Sequence, residues 1–174
     1  FNFEGATELH RKFAAFYDAG KIAAALCHGV AVLRYAKGKN GELLAKGKTV
    51  TGFANVEEDF ADQAVWSMGA LAKEKHLMPW RIEDELKKVG ANFVQGGLWR
   101  GFAVRDGNLI TGQQNFSGTE TANLVIETLG KETAVRDFIE GEWFERGGWT
   151  VLTEFSVDGA WEGLRTRWVL LRGA

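Results

Sequence analysis

The chain has 174 residues, of which 45% are hydrophobic and 25% are charged, and its formal net charge is −2. These values are typical of a globular domain that builds its own core. The nearly neutral, mixed charge gives no support for binding nucleic acid or an anionic membrane, and no apolar run approaches the roughly 20 residues of a membrane span. A single cysteine excludes an internal disulfide and is typical of a reducing compartment, which predicts a cytoplasmic protein.

The composition changes near Gly130. Lysines stop at Lys131, and four of the seven tryptophans lie beyond it. We therefore predict one domain over residues 1–130. Residues 131–174 are predicted to be an appended helix at 133–145 and a β-hairpin with strands at 149–155 and 164–171, used for packing or for forming a homodimer. The start of a truncated second domain is the alternative interpretation.

The elements of the first domain follow from apolar periodicity and from glycine and proline positions. Taken in chain order, the predictions are a helix at 7–19, a strand at 22–26, a helix at 28–35, a strand at 48–53, helices at 62–75 and 80–89, strands at 92–94, 102–104 and 108–111, and a helix at 119–129. Alternating strands and helices indicate an α/β fold with a largely parallel sheet. The small residues Ala23–Ala25 favour a central strand with helices on both faces.

The only cysteine lies where the predicted strand 22–26 meets the predicted helix. In Cys27-His28-Gly29 a sharp turn would lift the thiol to the carboxyl end of the sheet, as in a nucleophile elbow. A helix N-terminus favours the thiolate, and His28 is a neighbouring proton acceptor. The alternative is that Cys27 is a small buried hydrophobic residue, which is common for a lone cysteine.

Three consecutive acids, Glu57, Glu58 and Asp59, follow the predicted strand 48–53. In extended backbone Glu57 and Asp59 share one face and Glu58 takes the other. We therefore expect only one side of this run to reach His28, and the residues alone do not decide which.

Several segments together resemble the ThiJ/PfpI superfamily of type 1 glutamine amidotransferase-like proteins, in the branch of glyoxalase-III-like enzymes and stress chaperones. They are Phe13–Ile22, Cys27–Gly29, Lys48–Phe53 with Glu57-Glu58, Pro79–Gly90 and Asp106–Gln113. The resemblance implies a flavodoxin-like sheet with helices on both faces. It also implies a catalytic triad of Cys27, His28 and Glu58, with Glu57 as the alternative acid and the backbone N–H groups of His28 and Gly29 as oxyanion donors.

The activity implied by the resemblance is attack of the thiolate on a small reactive carbonyl, converting methylglyoxal to lactate with no cofactor. Two alternatives remain: a redox-sensing, holdase-type stress chaperone without turnover, and a cysteine hydrolase of the peptidase or amidase type. Glutaminase activity is disfavoured because neither His10 nor His76 has the required setting, and both are predicted to be solvated surface residues. No metal-ligand spacing is present.

The sequence departs from the family pattern in two places. The family's leading strands, with an acid that contacts the thiol, have no counterpart here, so we expect an N-terminally truncated copy, and the activity of this form stays open. The run Gln113–Ser117 also replaces the commoner Gln-Asn-Pro-x-Ser, which predicts a different local turn.

Overall fold

The computed structural model describes residues 2–130 and the backbone of two short strands, Leu152–Glu154 and Arg167–Val169. By its internal contacts the chain divides into two compact units, Phe1–Gly130 and Lys131–Ala174. The helix predicted at 133–145 lies outside the described residues.

The first unit alternates helices and strands. Its α-helices are α1 (Thr7–Asp18), α2 (Asn55–Ser67), α3 (Ile82–Lys88) and α4 (Gly118–Leu129). Its strands are β1 (Ala23–Leu26), β2 (Thr49–Val50), β3 (Asn92–Phe93), β4 (Ala103–Asp106) and β5 (Leu109–Gly112). Two 3-10 helices complete it, at Cys27–Arg34 and Asn115–Ser117.

Strand β5 is the middle of a sheet with the order β1-β5-β4. It pairs parallel with β1 and antiparallel with β4, and β2 and β3 form a separate parallel pair. All four residues of β5 are buried. Because successive side chains of a strand point to opposite faces, both faces of β5 are covered. The α/β class predicted from the sequence is confirmed.

The prediction that Ala23–Ala25 form a central strand is wrong for this sheet. Within residues 2–130, β1 pairs with β5 on one side only, and Ala24 is exposed. The small side chains therefore lie in an edge strand.

Helix α2 begins at Asn55, seven residues before the predicted start. Acidic side chains satisfy N–H groups that a helix N-terminus leaves without a partner. Glu57 Oε2 accepts from the N–H of Ala54 at 3.1 Å, and Glu83 Oε2 accepts from the N–H of Asn55 at 2.8 Å. The acidic run is thus the first turn of a helix, where negative charge is favourable, and the extended backbone predicted for it is wrong.

Helix α3 was predicted to open directly after Pro79. Its first helical residue is Ile82, because Arg81 is still extended at φ −101° and ψ 135°. The helix buries Ile82 and Leu86, which pack in one core with Leu33 of the 3-10 helix and Leu109 of β5.

Two polar contacts fix the chain around β2 to the β4–β5 hairpin. Asp106 at the end of β4 accepts from Lys48 Nζ and from the N–H of Thr49, both at 2.8 Å. The N–H of Thr51 donates to Thr111 Oγ1 of β5 at 2.9 Å, and both threonines are buried. The segment between β2 and α2 is therefore held against the sheet.

Gly112 marks the closest approach of α4 to the sheet, and replacing it is expected to destabilise the fold. A Cβ there would lie 2.3 Å from Thr121 Oγ1 and 3.0 Å from Leu26 Cβ. Thr121 is buried, and its hydroxyl donates to the Ser117 carbonyl, so it cannot turn away freely. We expect Gly112→Ala to lower the free energy of unfolding by about 1–3 kcal/mol, measured by urea denaturation.

The matched control is Gly118→Ala at the start of α4. A Cβ at Gly118 meets no atom within 4 Å, and alanine favours the helix by up to about 1 kcal/mol. Equal destabilisation of the two variants would contradict this packing argument.

In the second unit, strand β6 (Leu152–Glu154) pairs antiparallel with β7 (Arg167–Val169). Both segments lie inside the predicted hairpin strands. The use of this unit in packing or in a homodimer stays a prediction.

Candidate active site

The chain turns sharply at the end of β1. Leu26 is extended, at φ −137° and ψ 159°, whereas Cys27 has φ +56°. This left-handed conformation is unfavourable for a residue that carries a Cβ. Cys27 is half-buried, and its backbone has the geometry of a nucleophile elbow.

The helix after the elbow lies close to its predicted position but has 3-10 hydrogen bonding over Cys27–Arg34. Gly29 and the β-branched residues Val30 and Val32 lower its α-helical propensity. Val30–Leu33 are all buried, and this burial anchors the segment directly after Cys27.

His28 lies between the thiol and a buried acid. Its Nδ1 is 3.6 Å from Cys27 Sγ, and its Nε2 is 3.1 Å from Glu58 Oε1. The Glu58 side chain is 3% exposed, and Phe53 stacks on the imidazole with ring centroids 4.2 Å apart. If the carboxylate accepts the Nε2 proton, Nδ1 of a neutral imidazole is left to face the sulfur.

The charge of His28 follows from this setting. Burial lowers its pKa, but the hydrogen bonds to Cys27 and Glu58 and the charges of those two groups outweigh burial, so the pKa rises from 6.5 to about 9. At neutral pH the imidazole is therefore protonated. The Nδ1 of this charged ring then lies 3.6 Å from Cys27 Sγ.

The three acids of the predicted site separate in the first turn of α2. Glu58 contacts His28. Glu57 is completely buried and accepts from Gln113 Nε2 at 2.8 Å, whereas Asp59 is exposed and pairs with Arg81 at 2.6 Å. Successive helical residues differ by about 100° around the axis, so these neighbours face three directions.

The backbone N–H groups of His28 and Gly29 lie in the first turn of the 3-10 helix. N–H groups in a first helical turn have no acceptor inside their own helix. Their predicted use as oxyanion donors stays a prediction.

The other two histidines do not join this site. His76 is half-exposed, and its Nδ1 contacts Asp62 Oδ2 at 2.6 Å. His10 is half-buried and stacks on Tyr35 with ring centroids 5.0 Å apart. The prediction of a solvated surface position is therefore wrong for His10, because the ring of Tyr35 covers it.

Sequence reasoning missed the aromatic and amide side chains around the triad. Phe53 lies on His28, Trp99 contacts Phe53 edge-on, and Gln113 is completely buried. Gln113 follows β5 directly, as Cys27 follows β1. Parallel pairing brings these two strand ends to the same edge of the sheet, which is the signal that could have identified Gln113.

In residues 2–130 we find no cluster of three or more His, Cys, Asp and Glu side chains arranged to hold a metal ion. None of the described helices is both long and apolar enough to cross a membrane.

Together the fold and the site define a class: an α/β protein whose cysteine lies at a left-handed turn after a parallel strand, beside a histidine that contacts a buried glutamate. No family model matches the chain. Over 128 residues it is 33% identical to Glyoxalase 3 of Candida albicans, matching 72% of this chain and 51% of that protein. Over 131 residues it is 32% identical to the glutathione-independent glyoxalase HSP31 of Saccharomyces cerevisiae, matching 74% of this chain and 52% of that protein.

A crystal structure of glyoxalase III from Candida albicans is similar as well, with a TM-score of 0.61 and 31% identity over 74% of this chain and 52% of the other. These homologues are glyoxalase III/Hsp31 proteins, and the chain belongs with them to the ThiJ/PfpI superfamily. The resemblance found in the sequence is confirmed. The chain spans about half the length of the curated relatives it matches.

The raised pKa of His28 gives a direct test of the site. In the wild-type chain the imidazole is expected to titrate with a pKa of about 9, followed by NMR of the ring protons. Glu58→Gln removes the negative charge that stabilises imidazolium, so the pKa should fall. Asp59→Asn removes a neighbouring charge that faces Arg81 and should leave the pKa unchanged. A wild-type value near 6.5, or equal shifts in both variants, would contradict the assigned contacts.

Proposed function

We propose that the chain is a cysteine-dependent, glutathione-independent glyoxalase that converts a small 2-oxoaldehyde such as methylglyoxal to a 2-hydroxy acid such as lactate. The observation that carries this proposal is the line of contacts from Cys27 Sγ through His28 to Glu58, at 3.6 and 3.1 Å. The glyoxalases among its relatives support the same reaction class.

The first step is addition of the Cys27 thiolate to the aldehyde carbon. A carbon–sulfur bond forms, the carbonyl electron pair moves to oxygen, and the protonated His28 donates a proton to that oxygen. The product is a hemithioacetal. In this proposal the N–H groups of His28 and Gly29 stabilise the developing oxyanion.

The second step is proton transfer within the bound substrate. His28, now neutral, removes the proton from the carbon bonded to sulfur, and the electron pair forms an enediolate with the adjacent carbonyl. The proton returns to the adjacent carbon while the hydroxyl proton of the hemithioacetal passes to the oxygen on that carbon, giving a thioester of the hydroxy acid. One carbon is oxidised and its neighbour is reduced, so no external electron acceptor is needed. Glu58 stabilises the imidazolium each time it forms.

Water completes the reaction. It adds to the thioester carbonyl and gives a proton to His28, the carbon–sulfur bond breaks, and the hydroxy acid leaves while Cys27 returns as a thiolate. The net change is addition of one water molecule to methylglyoxal, which balances with lactic acid.

The proposal is tested by lactate formation from methylglyoxal. Cys27→Ala should abolish turnover, and Glu58→Gln should lower kcat by about 10²–10⁴-fold, the range for loss of a positioned acid–base group. Asp59→Asn is the control and should retain wild-type activity. A chain that forms no lactate, or a Cys27→Ala variant that still forms it, would refute the proposal.

The same preparation separates the two alternative functions. A redox sensor would convert Cys27 to a sulfinic acid under peroxide, detected by mass spectrometry, without forming lactate. A hydrolase would release p-nitrophenol from a p-nitrophenyl ester over many turnovers. Cys27→Ala would abolish this release.

A further inference from the structure

Four aromatic rings form a continuous path from the reacting atoms to the surface, which we name the aromatic wall: His28, Phe53, Trp99 and Phe60. Phe53 stacks on the imidazole at 4.2 Å between centroids. Trp99 contacts Phe53 edge-on at 5.9 Å and Phe60 at 5.6 Å. Phe53 is buried, Trp99 is half-buried and Phe60 is 52% exposed. The accessible apolar surface of the wall therefore lies on Trp99 and Phe60.

Trp99 holds an unfavourable backbone conformation, with φ +54°. It lies in a tight turn after Gly96 and Gly97. A Cβ at Gly96 would lie 2.7 Å from Phe102 Cβ, and Gly97 has φ +100°. A non-glycine residue keeps such a conformation only when its surroundings fix it.

Two completely buried polar side chains, Glu57 and Gln113, fix this turn. Glu57 Oε1 accepts from the N–H of Trp99 at 3.3 Å and from Gln113 Nε2 at 2.8 Å. Gln113 Nε2 also donates to the Gly97 carbonyl at 2.8 Å, and Gln113 Oε1 accepts from the N–H of Gly96 at 2.7 Å. The carboxylate and amide thus bond to backbone groups of three of the turn's residues.

Neither side chain contacts the triad through a hydrogen bond in the described part of the chain. Burying a carboxylate and an amide is costly unless each is fully hydrogen-bonded. Their bonding partners are the turn, each other and the N–H of Ala54. What these bonds hold in place is the backbone that presents the Trp99 indole.

We propose that Trp99 is a specificity-determining residue that binds the apolar or aromatic substituent of the substrate, and that Glu57 and Gln113 are positioning residues that act through it. The preferred substrates are then 2-oxoaldehydes with a planar apolar group, such as phenylglyoxal. In this proposal a methyl group next to the carbonyl is too small to cover the indole, which lies one ring further from His28 than Phe53 does. The substrate class rests on the proposed function, whereas the apolar subsite does not.

The subsite is tested without turnover by alkylating Cys27. Phenacyl bromide carries a phenyl group and iodoacetamide does not, and both form a carbon–sulfur bond as a halide leaves. The measured quantity is the rate constant for phenacyl bromide divided by that for iodoacetamide. This ratio is then divided by the same ratio for free glutathione, which corrects for the intrinsic reactivity of the two reagents. We expect about a tenfold preference for phenacyl bromide in the wild type, a ratio near one in Trp99→Ala, and an intermediate ratio in Trp99→Phe.

Met68→Ala is the matched control, because Met68 is an exposed apolar residue at the opposite end of α2 from Glu58. It should keep the wild-type ratio. A wild-type ratio near one, or a Trp99→Ala variant that keeps the wild-type ratio, would overturn the proposal.

The positioning role is tested by kinetics with two substrates. Glu57→Met keeps the size of the side chain but accepts none of the three hydrogen bonds from Ala54, Trp99 and Gln113. We expect the KM for phenylglyoxal to rise severalfold, while kcat and KM for methylglyoxal stay within about twofold. A fall in kcat for both substrates would assign Glu57 to the triad instead and overturn its positioning role.

Gln113→Met tests the same turn from its other side and covers the case in which Glu57→Met does not fold. It keeps the size of the side chain but loses every bond to Gly96 and Gly97, so the phenacyl preference should fall. An unchanged preference in a folded Gln113→Met variant would overturn the positioning claim. The two proposals can fail separately. If the wild type prefers phenacyl bromide but forms neither lactate from methylglyoxal nor mandelate from phenylglyoxal, the Trp99 subsite is retained and the proposed glyoxalase function is refuted.

Discussion

Cys27 holds its backbone at φ +56°, a conformation that costs a residue with a Cβ about 1–3 kcal/mol. The buried stretch Val30–Leu33 lies three residues further on, and its burial offsets that cost. In return the turn places Sγ 3.6 Å from the histidine that follows it. Were Cys27 to relax to an ordinary extended conformation, the chain would continue along the strand and the thiol would leave the imidazole.

The first turn of α2 complements the elbow. Two adjacent, buried carboxylates lie there with different partners: Glu58 contacts the imidazole, and Glu57 contacts the turn that carries Trp99. Both benefit from the partial positive charge of a helix N-terminus. Because one helical turn carries both, the imidazole of His28 and the aromatic wall share a single structural support.

Much of this could be predicted from the sequence, and the remainder depended on tertiary contacts. Cys27 and His28 were identifiable because a lone cysteine stood between a small apolar strand and an apolar helix. The α/β class followed from the alternation of elements. The extended backbone predicted for the acidic run was wrong, because the β-branched residues before it suggested a strand. The run instead begins a helix, in which acidic side chains accept hydrogen bonds from the N–H groups of Ala54 and Asn55.

Trp99 and Gln113 could not be assigned from local patterns. A positive φ at a tryptophan has no local sequence signal, since it is imposed by hydrogen bonds from Glu57, which lies 42 positions earlier in the chain. The edge position of β1 was equally hidden. Small side chains suit close packing on either side of a strand, and they do not report whether a neighbouring strand is present.

The pairing of β1 within the described residues has a consequence for the position of Cys27 Sγ. In the described part of the chain, β1 has four residues and hydrogen-bonds to β5 alone, whereas β5 is bonded on both sides. Strands bonded on one side open locally at lower free energy than strands bonded on two. Cys27 follows the last residue of β1, so fraying of that strand moves the sulfur directly. The position of the thiol is therefore expected to fluctuate together with the amide exchange of β1.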